Sequence, residues 1–170
     1  EDHPRTPLIA VVQWPAIESA EALDRFLDDL AQTRAAAVLP VGMSFWQLAR
    51  FAERVHACGL QTVIPFAPTT SRTRLGIALR YCSGCLYVPR GRTTGGGAEY
   101  GDVAEFCRRV AGETDLPIIV GVGVNTAAHV EEICRTPAKA AAVGSALVDH
   151  IAHGGSASDF LRRLTTTSQP

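Results

Sequence analysis

The sequence predicts an α/β protein of six parallel βα units, and three observations carry that expectation. Short apolar runs alternate with longer amphipathic stretches along the 170 residues, the pattern of strands and helices in turn. Strands separated in this way pair in parallel, because a parallel neighbour needs a long crossover. Glycines also cluster where the last three strands end.

Each element follows from local chemistry. The first strand is Leu8–Gln13. The helix expected over 20–32 carries Leu23, Phe26, Leu27 and Leu30 at core-facing spacing behind a capping Ser19. A strand at 37–41 leads to a helix at 45–58, closed by Gly59, which can adopt the left-handed conformation. The third unit pairs a strand at 62–66 with a helix at 72–81. The fourth has a strand at 85–88, a glycine-rich loop at 89–97 and a helix at 100–112. The fifth comprises a strand at 118–122 and a helix at 126–134, and the sixth strand spans 140–143. A short apolar helix at 146–152, the polar break His153-Gly154-Gly155-Ser156 and a helix at 157–164 complete the pattern, leaving a polar tail at 165–170. One domain, 1–170, is expected.

Composition narrows the function classes. Hydrophobic residues make up 46% and charged residues 19%, which suits a packed globular chain. The net charge of −1 and the scattered arginines argue against nucleic acid, whose recognition needs a basic stripe. No apolar run is long enough to span a membrane. The five cysteines include the spacing Cys82-Ser-Gly-Cys85, but no second pair completes a zinc site, so no metal or cofactor is expected. Free thiols suit a cytoplasmic protein. The chain starts at Glu1 without an initiator Met, which is expected of a processed product, a fragment or an incompletely recorded chain.

A phosphate is held by backbone N–H groups, and glycine lets the backbone come close to it. Three segments offer this: Arg92-Thr93-Thr94-Gly95-Gly96-Gly97, Gly121-Val122-Gly123-Val124-Asn125 and Gly144-Ser145-Ala146. Any one of them alone reads more readily as a tight turn. Together they are stronger, and the last two match the phosphate site that the final two loops and the start of a short extra helix make in a TIM-type (β/α) barrel. A dinucleotide fold fits less well, since Gly121-Val122-Gly123 lacks the third glycine of that fingerprint. Gln13, Trp14, Tyr87, Arg90, Arg92 and Asn125 are expected to point toward the strand ends. Tyr87 reads equally as a core residue, and Arg90 and Arg92 equally as solvated loop arginines or as anion clamps. Glu18, Asp24, Glu53, Glu105, Glu131 and Glu132 are expected on solvated helix faces. His56, His129, His150 and His153 are expected in packing or surface roles.

The segments Gly59-Leu60-Gln61-Thr62-Val63-Ile64-Pro65-Phe66-Ala67-Pro68-Thr69-Thr70-Ser71, Ser83-Gly84-Cys85-Leu86-Tyr87, Thr94-Gly95, Pro117-Ile118-Ile119-Val120-Gly121-Val122-Gly123 and Val143-Gly144-Ser145-Ala146-Leu147-Val148 resemble the tryptophan synthase α subunit. Their order and spacing match that family from about residue 38 to residue 151, and more faintly from Leu8. The resemblance implies a partial or truncated TIM-type barrel, the third to eighth units of eight. It implies retro-aldol cleavage of indole-3-glycerol phosphate to indole and glyceraldehyde 3-phosphate, and a partner β subunit. It also assigns Thr94 and Gly95 to a loop closing over the phosphate, and Gly123, Gly144 and Ser145 to its oxygens.

The departures bear on the reaction. The family's catalytic glutamate and aspartate belong to its second strand and the loop after it, which this sequence does not include, so no residue here inherits either role. Val41-Gly42-Met43 stands where an Asp-Leu-Pro-like motif is usual, and the loop through Gly91-Arg92-Thr93-Thr94-Gly95 is one residue shorter. Three readings follow: a lyase whose acid and base come from elsewhere, a non-catalytic phosphate-ligand or scaffold protein, and a diverged enzyme of specialised metabolism. Six strands cannot close an eight-stranded barrel, so homo-oligomer formation through the open sheet edges is expected.

Overall fold

The computed structural model describes residues 6–91 and 102–165. Six strands alternate with helices, and the strand order β1-β2-β3-β4-β5-β6 follows the chain. The chain forms two compact units: Glu1–Pro65 with Ser71–Leu86, and Phe66–Thr70 with Tyr87–Pro170.

The first unit holds strands β1 (Leu8–Gln13), β2 (Ala35–Val41) and β3 (Gln61–Pro65) and helices α1 (Ala20–Ala31), α2 (Leu48–Ala57) and α3 (Arg72–Leu79). Parallel pairing sets Val11 beside Leu39 and Gln13 beside Val41, then Val38 beside Thr62. Ser19 caps α1 by accepting from the Ala22 N–H at 3.1 Å. Gly59 (φ +73°) ends α2 as expected. Its N–H donates to the His56 carbonyl and that of Leu60 to the Val55 carbonyl, so two orphan carbonyls of the last turn are satisfied. The core gathers Leu23 and Leu27 from α1, Val38 from β2 and Phe51 and Val55 from α2 around Trp14.

Two details differ from expectation here. Trp14 does not face a strand-end opening. It is buried and meets Phe51 edge to face at 5.7 Å, because a 3-10 turn at Trp14–Ala16 folds the ring back onto α2. The helix expected from residue 45 begins as a separate 3-10 turn, Phe45–Gln47, set by hydrogen bonds between Ser44 and the Gln47 side chain. Buried Cys82 donates its thiol hydrogen to the Cys85 carbonyl, and burial pushes that thiol up to about 12. The pair is packing material, as expected from its spacing.

The second unit contains the end of β4 (Cys85–Pro89), β5 (Ile118–Gly121), β6 (Ala140–Ala141) and helices α4 (Val103–Ala111), α5 (Ala127–Cys134), α6 (Ser145–Ala152) and α7 (Ala157–Thr165). Asp102 caps α4 and Thr126 caps α5. Val88, Phe106, Cys107, Val110, Ile118 and Val120 are buried. Arg109 lies over the Phe106 ring and donates to the Thr70 carbonyl, which ties the 66–70 segment to α4. The sixth strand is half its expected length. The Ala142 N–H still donates to Val120, but by Gly144 the carbonyl serves the first turn of α6, so the chain leaves the ladder. No described helix is long and apolar enough to cross a membrane.

Candidate functional site

The densest backbone chemistry lies where β5 ends. Val122 has φ +56° and Gly123 φ +81°, two successive left-handed residues. For a β-branched side chain that conformation is an outlier and costs about 1–3 kcal/mol. The surroundings hold it in place: the Arg90 N–H donates to the Gly121 carbonyl at 2.7 Å and the Gly91 N–H to the Val122 carbonyl at 3.1 Å.

Tyr87 completes the clamp. A Cβ on Gly121 would stand 2.0 Å from the Tyr87 hydroxyl and 2.5 Å from its ring carbon, so only glycine fits beneath the ring. Burial raises the Tyr87 hydroxyl above its ordinary pKa, and a hydrogen bond to the Val122 backbone partly offsets this. The ring of Tyr87 thus fills the space at Gly121, and its hydroxyl braces the strained turn.

At the end of β6, Gly144 is the residue before α6, and no side chain caps that helix. A Cβ at Gly144 would meet nothing within 4 Å, so open space adjoins it. Ser145 begins α6, whose first N–H groups carry the partial positive charge of a helix start.

The remaining expected residues separate. Arg90 is mostly buried and its guanidinium donates to Glu132 on α5 at 3.2 Å, so it serves an ion pair at the foot of that helix. Asn125 is exposed, and its N–H reaches His129 Nδ1 at 3.4 Å. Gln13 ends β1 in the first unit and is exposed. Arg92, Thr94 and Gly95 lie outside the described residues. Glu18 is not on a helix face: it precedes the Ser19 cap and accepts from the Gln47 side chain at 2.8 Å.

The second unit also holds a cavity that the strand-end glycines do not foretell. It opens between the start of α5 and helices α6 and α7, measures about 500 Å³, and is lined among others by Asn125, Asp149, His150, His153, Phe160 and Arg163. Ala146, Asp149 and His150 share one face of α6 and His153 follows its end, but Phe160 and Arg163 come from α7 and Asn125 from the segment before α5, so no single stretch of sequence signals the cavity. Among the described residues no cluster of histidine, cysteine or carboxylate side chains is arranged to hold a metal.

Parallel βα units in chain order, with glycine-bearing turns at the ends of the last strands, define a protein of the TIM-barrel type. The tryptophan synthase alpha chain family matches residues 1–169, and the chain belongs to that family. It is similar to the tryptophan synthase alpha chain of Polynucleobacter necessarius, 30% identical over 145 residues that cover 84% of this chain and 54% of that protein. The corresponding protein of Citrifermentans bemidjiense is 32% identical over 129 residues, 75% of this chain and 48% of the relative. The chain thus spans about half the length of these relatives. Among solved structures, a mutant tryptophan synthase α-subunit from Pyrococcus furiosus superposes with a TM-score of 0.82 at 25% identity, covering 96% of this chain and 68% of that one. A structure of the α2β2 complex from the same organism gives 0.80 at 24% identity with the same coverage.

Proposed function

We propose that this chain binds a phosphorylated small molecule such as indole-3-glycerol phosphate, with Gly123, Gly144 and Ser145 donating backbone or hydroxyl hydrogens to the phosphate and Thr94 and Gly95 closing over it. The observation that carries the reading is the strained Val122–Gly123 turn braced by Tyr87. A protein keeps a β-branched residue in a left-handed conformation where the surroundings over-determine it, and such outliers gather at ligand clamps. Asn125 and Tyr87 flank the phosphate in this reading, and Arg92 is a further candidate to contact the ligand. Arg90 positions α5 through Glu132.

Family membership supports the lyase reaction as the process this chain serves. Cleavage breaks the bond between indole C3 and the glycerol phosphate chain. An acid protonates C3, and a base takes the hydroxyl proton as the aldehyde forms. The last residues of the six strands are Gln13, Val41, Pro65, Pro89, Gly121 and Ala141, none of them acidic. That favours a second reading, in which the chain by itself binds ligand without cleaving it, as a scaffold or a diverged relative.

One experiment separates the two. Inorganic phosphate and indole-3-glycerol phosphate are expected to raise the melting temperature of the chain, and Gly144→Val to abolish the shift. No shift at millimolar ligand refutes the site. Release of indole by the chain alone decides for the lyase, and stabilisation without release decides for the binding protein.

Two partners belong to this reading. A tryptophan synthase β-type subunit is supported by the α2β2 complex of the Pyrococcus furiosus relative. Self-association is supported by β1, first in the strand order, with Val11 66% exposed beside exposed Leu8 and Ile9. A cytoplasmic setting agrees with five free cysteines.

A further inference from the structure

The cavity between α5, α6 and α7 is a built pocket in its own right. None of Gly123, Gly144 and Ser145 lines it. Its volume of about 500 Å³ falls within the range of small-molecule sites. Its walls join two chemistries. Ala127, Ala146, Phe160 and Leu164 supply an apolar floor, and Arg163 supplies a guanidinium with the imidazoles of His150 and His153 beside it.

His150 is fixed rather than free. A Cβ on Gly155 would stand 2.1 Å from its Nε2, so the ring is wedged against a backbone that only glycine leaves open. On its other sides lie the Phe160 ring, centroid to centroid 5.3 Å, and the Arg163 guanidinium, whose Nη2 stands 3.2 Å from Nε2 and 3.3 Å from Nδ1. His153 is oriented by the Asp149 carbonyl, 2.7 Å from its Nδ1. Arg163 is thus held against an imidazole and beside an aromatic ring. Asp149 also lines the cavity, and among the described residues no ion pair joins it to Arg163. A guanidinium held by one of its nitrogens against an imidazole leaves its other N–H groups for an incoming anion.

We infer that this cavity is a second ligand site, separate from the strand-end glycines, for a small carboxylate with an aromatic or alkyl body. The carboxylate pairs with Arg163, with His150 and His153 beside it, and the body lies along Phe160, Ala146 and Leu164. The planar two-donor fork of arginine matches a carboxylate, and the apolar floor rewards a body that inorganic anions lack.

Titration of the whole chain with benzoate, followed by the imidazole proton resonances of His150 and His153, tests the assignment. Saturable shifts at millimolar benzoate are expected, with little response to benzylamine or inorganic phosphate. Arg163→Ala is expected to weaken benzoate binding by about tenfold or more, with Arg163→Lys between it and the parent. His150→Gln, followed through His153, provides a second variant and is also expected to weaken binding. Gly144→Val is expected to leave benzoate binding unchanged. Absence of saturation, equal binding of benzylamine or phosphate, unaltered affinity in Arg163→Ala, or loss of benzoate binding in Gly144→Val would each overturn the inference.

Discussion

The two compact units use their residues differently. In the first, α1 and α2 bury Leu23, Leu27, Leu48, Phe51, Ala52 and Val55, and one cluster around Trp14 joins both helices to β2. In the second, α4 packs through Phe106, Cys107 and Val110, but α6 buries no residue and α7 buries only Leu164, while the backbone at Val122 and Gly123 is held in a strained turn. Side-chain packing dominates the first unit, and backbone geometry distinguishes the second. A ligand held by N–H groups needs the second arrangement, because main-chain donors must be fixed while space beside them stays open.

Phe51→Ala is the strongest way to break this comparison. Phe51 is fully buried and stacks edge-on to Trp14. Its loss should destabilise the chain by about 3–5 kcal/mol, the range for emptying an aromatic site in a core. Denaturant unfolding followed by Trp14 fluorescence reads that effect. A loss under about 1 kcal/mol would mean that the first unit's core is not closely packed around the Trp14 ring.

A smaller effect belongs to the second unit. Gly121→Ala drives a methyl group into the Tyr87 ring, and over-packing of this kind costs about 1–3 kcal/mol. The cost should fall sharply in Gly121→Ala combined with Tyr87→Ala, since the clash then disappears. A double-mutant cycle measures the coupling. Additive losses would sever Tyr87 from the turn at Val122.

These residues also mark how far the sequence is legible. The six strands can be read because apolar periodicity and caps are local signals: Ser19, Gly59 and Thr126 act as their types predict. The shortness of β6 cannot, since its end is set by Gly144 turning its carbonyl to α6. Trp14 has the look of a residue at an opening because it follows a strand, and only the 3-10 turn after Gln13 reveals that it folds inward. Arg90 is recognisable as a cation, but its carboxylate partner lies 42 positions along the chain. The cavity around His150 is hidden for the same reason: it is assembled from three helices, and no single stretch carries its signature.

The smallest expected effect is also the one that most sharpens the contrast between packing and backbone geometry. Val122→Gly relieves a left-handed strain of about 1–3 kcal/mol but adds chain entropy that costs about 0.5–1 kcal/mol. The two contributions oppose each other, so stability should change little or rise slightly. That sign is unusual for a valine shortened to glycine, which in an ordinary strand loses both packing and order. Binding should move the other way. A glycine at 122 samples more conformations, the Gly123 donor is less fixed, and the thermal shift produced by phosphate should shrink. Stability held or raised together with weakened phosphate binding would identify the turn as geometry kept for a ligand. A clear loss of stability would instead make Val122 an ordinary packing residue and remove the chief support for the phosphate site.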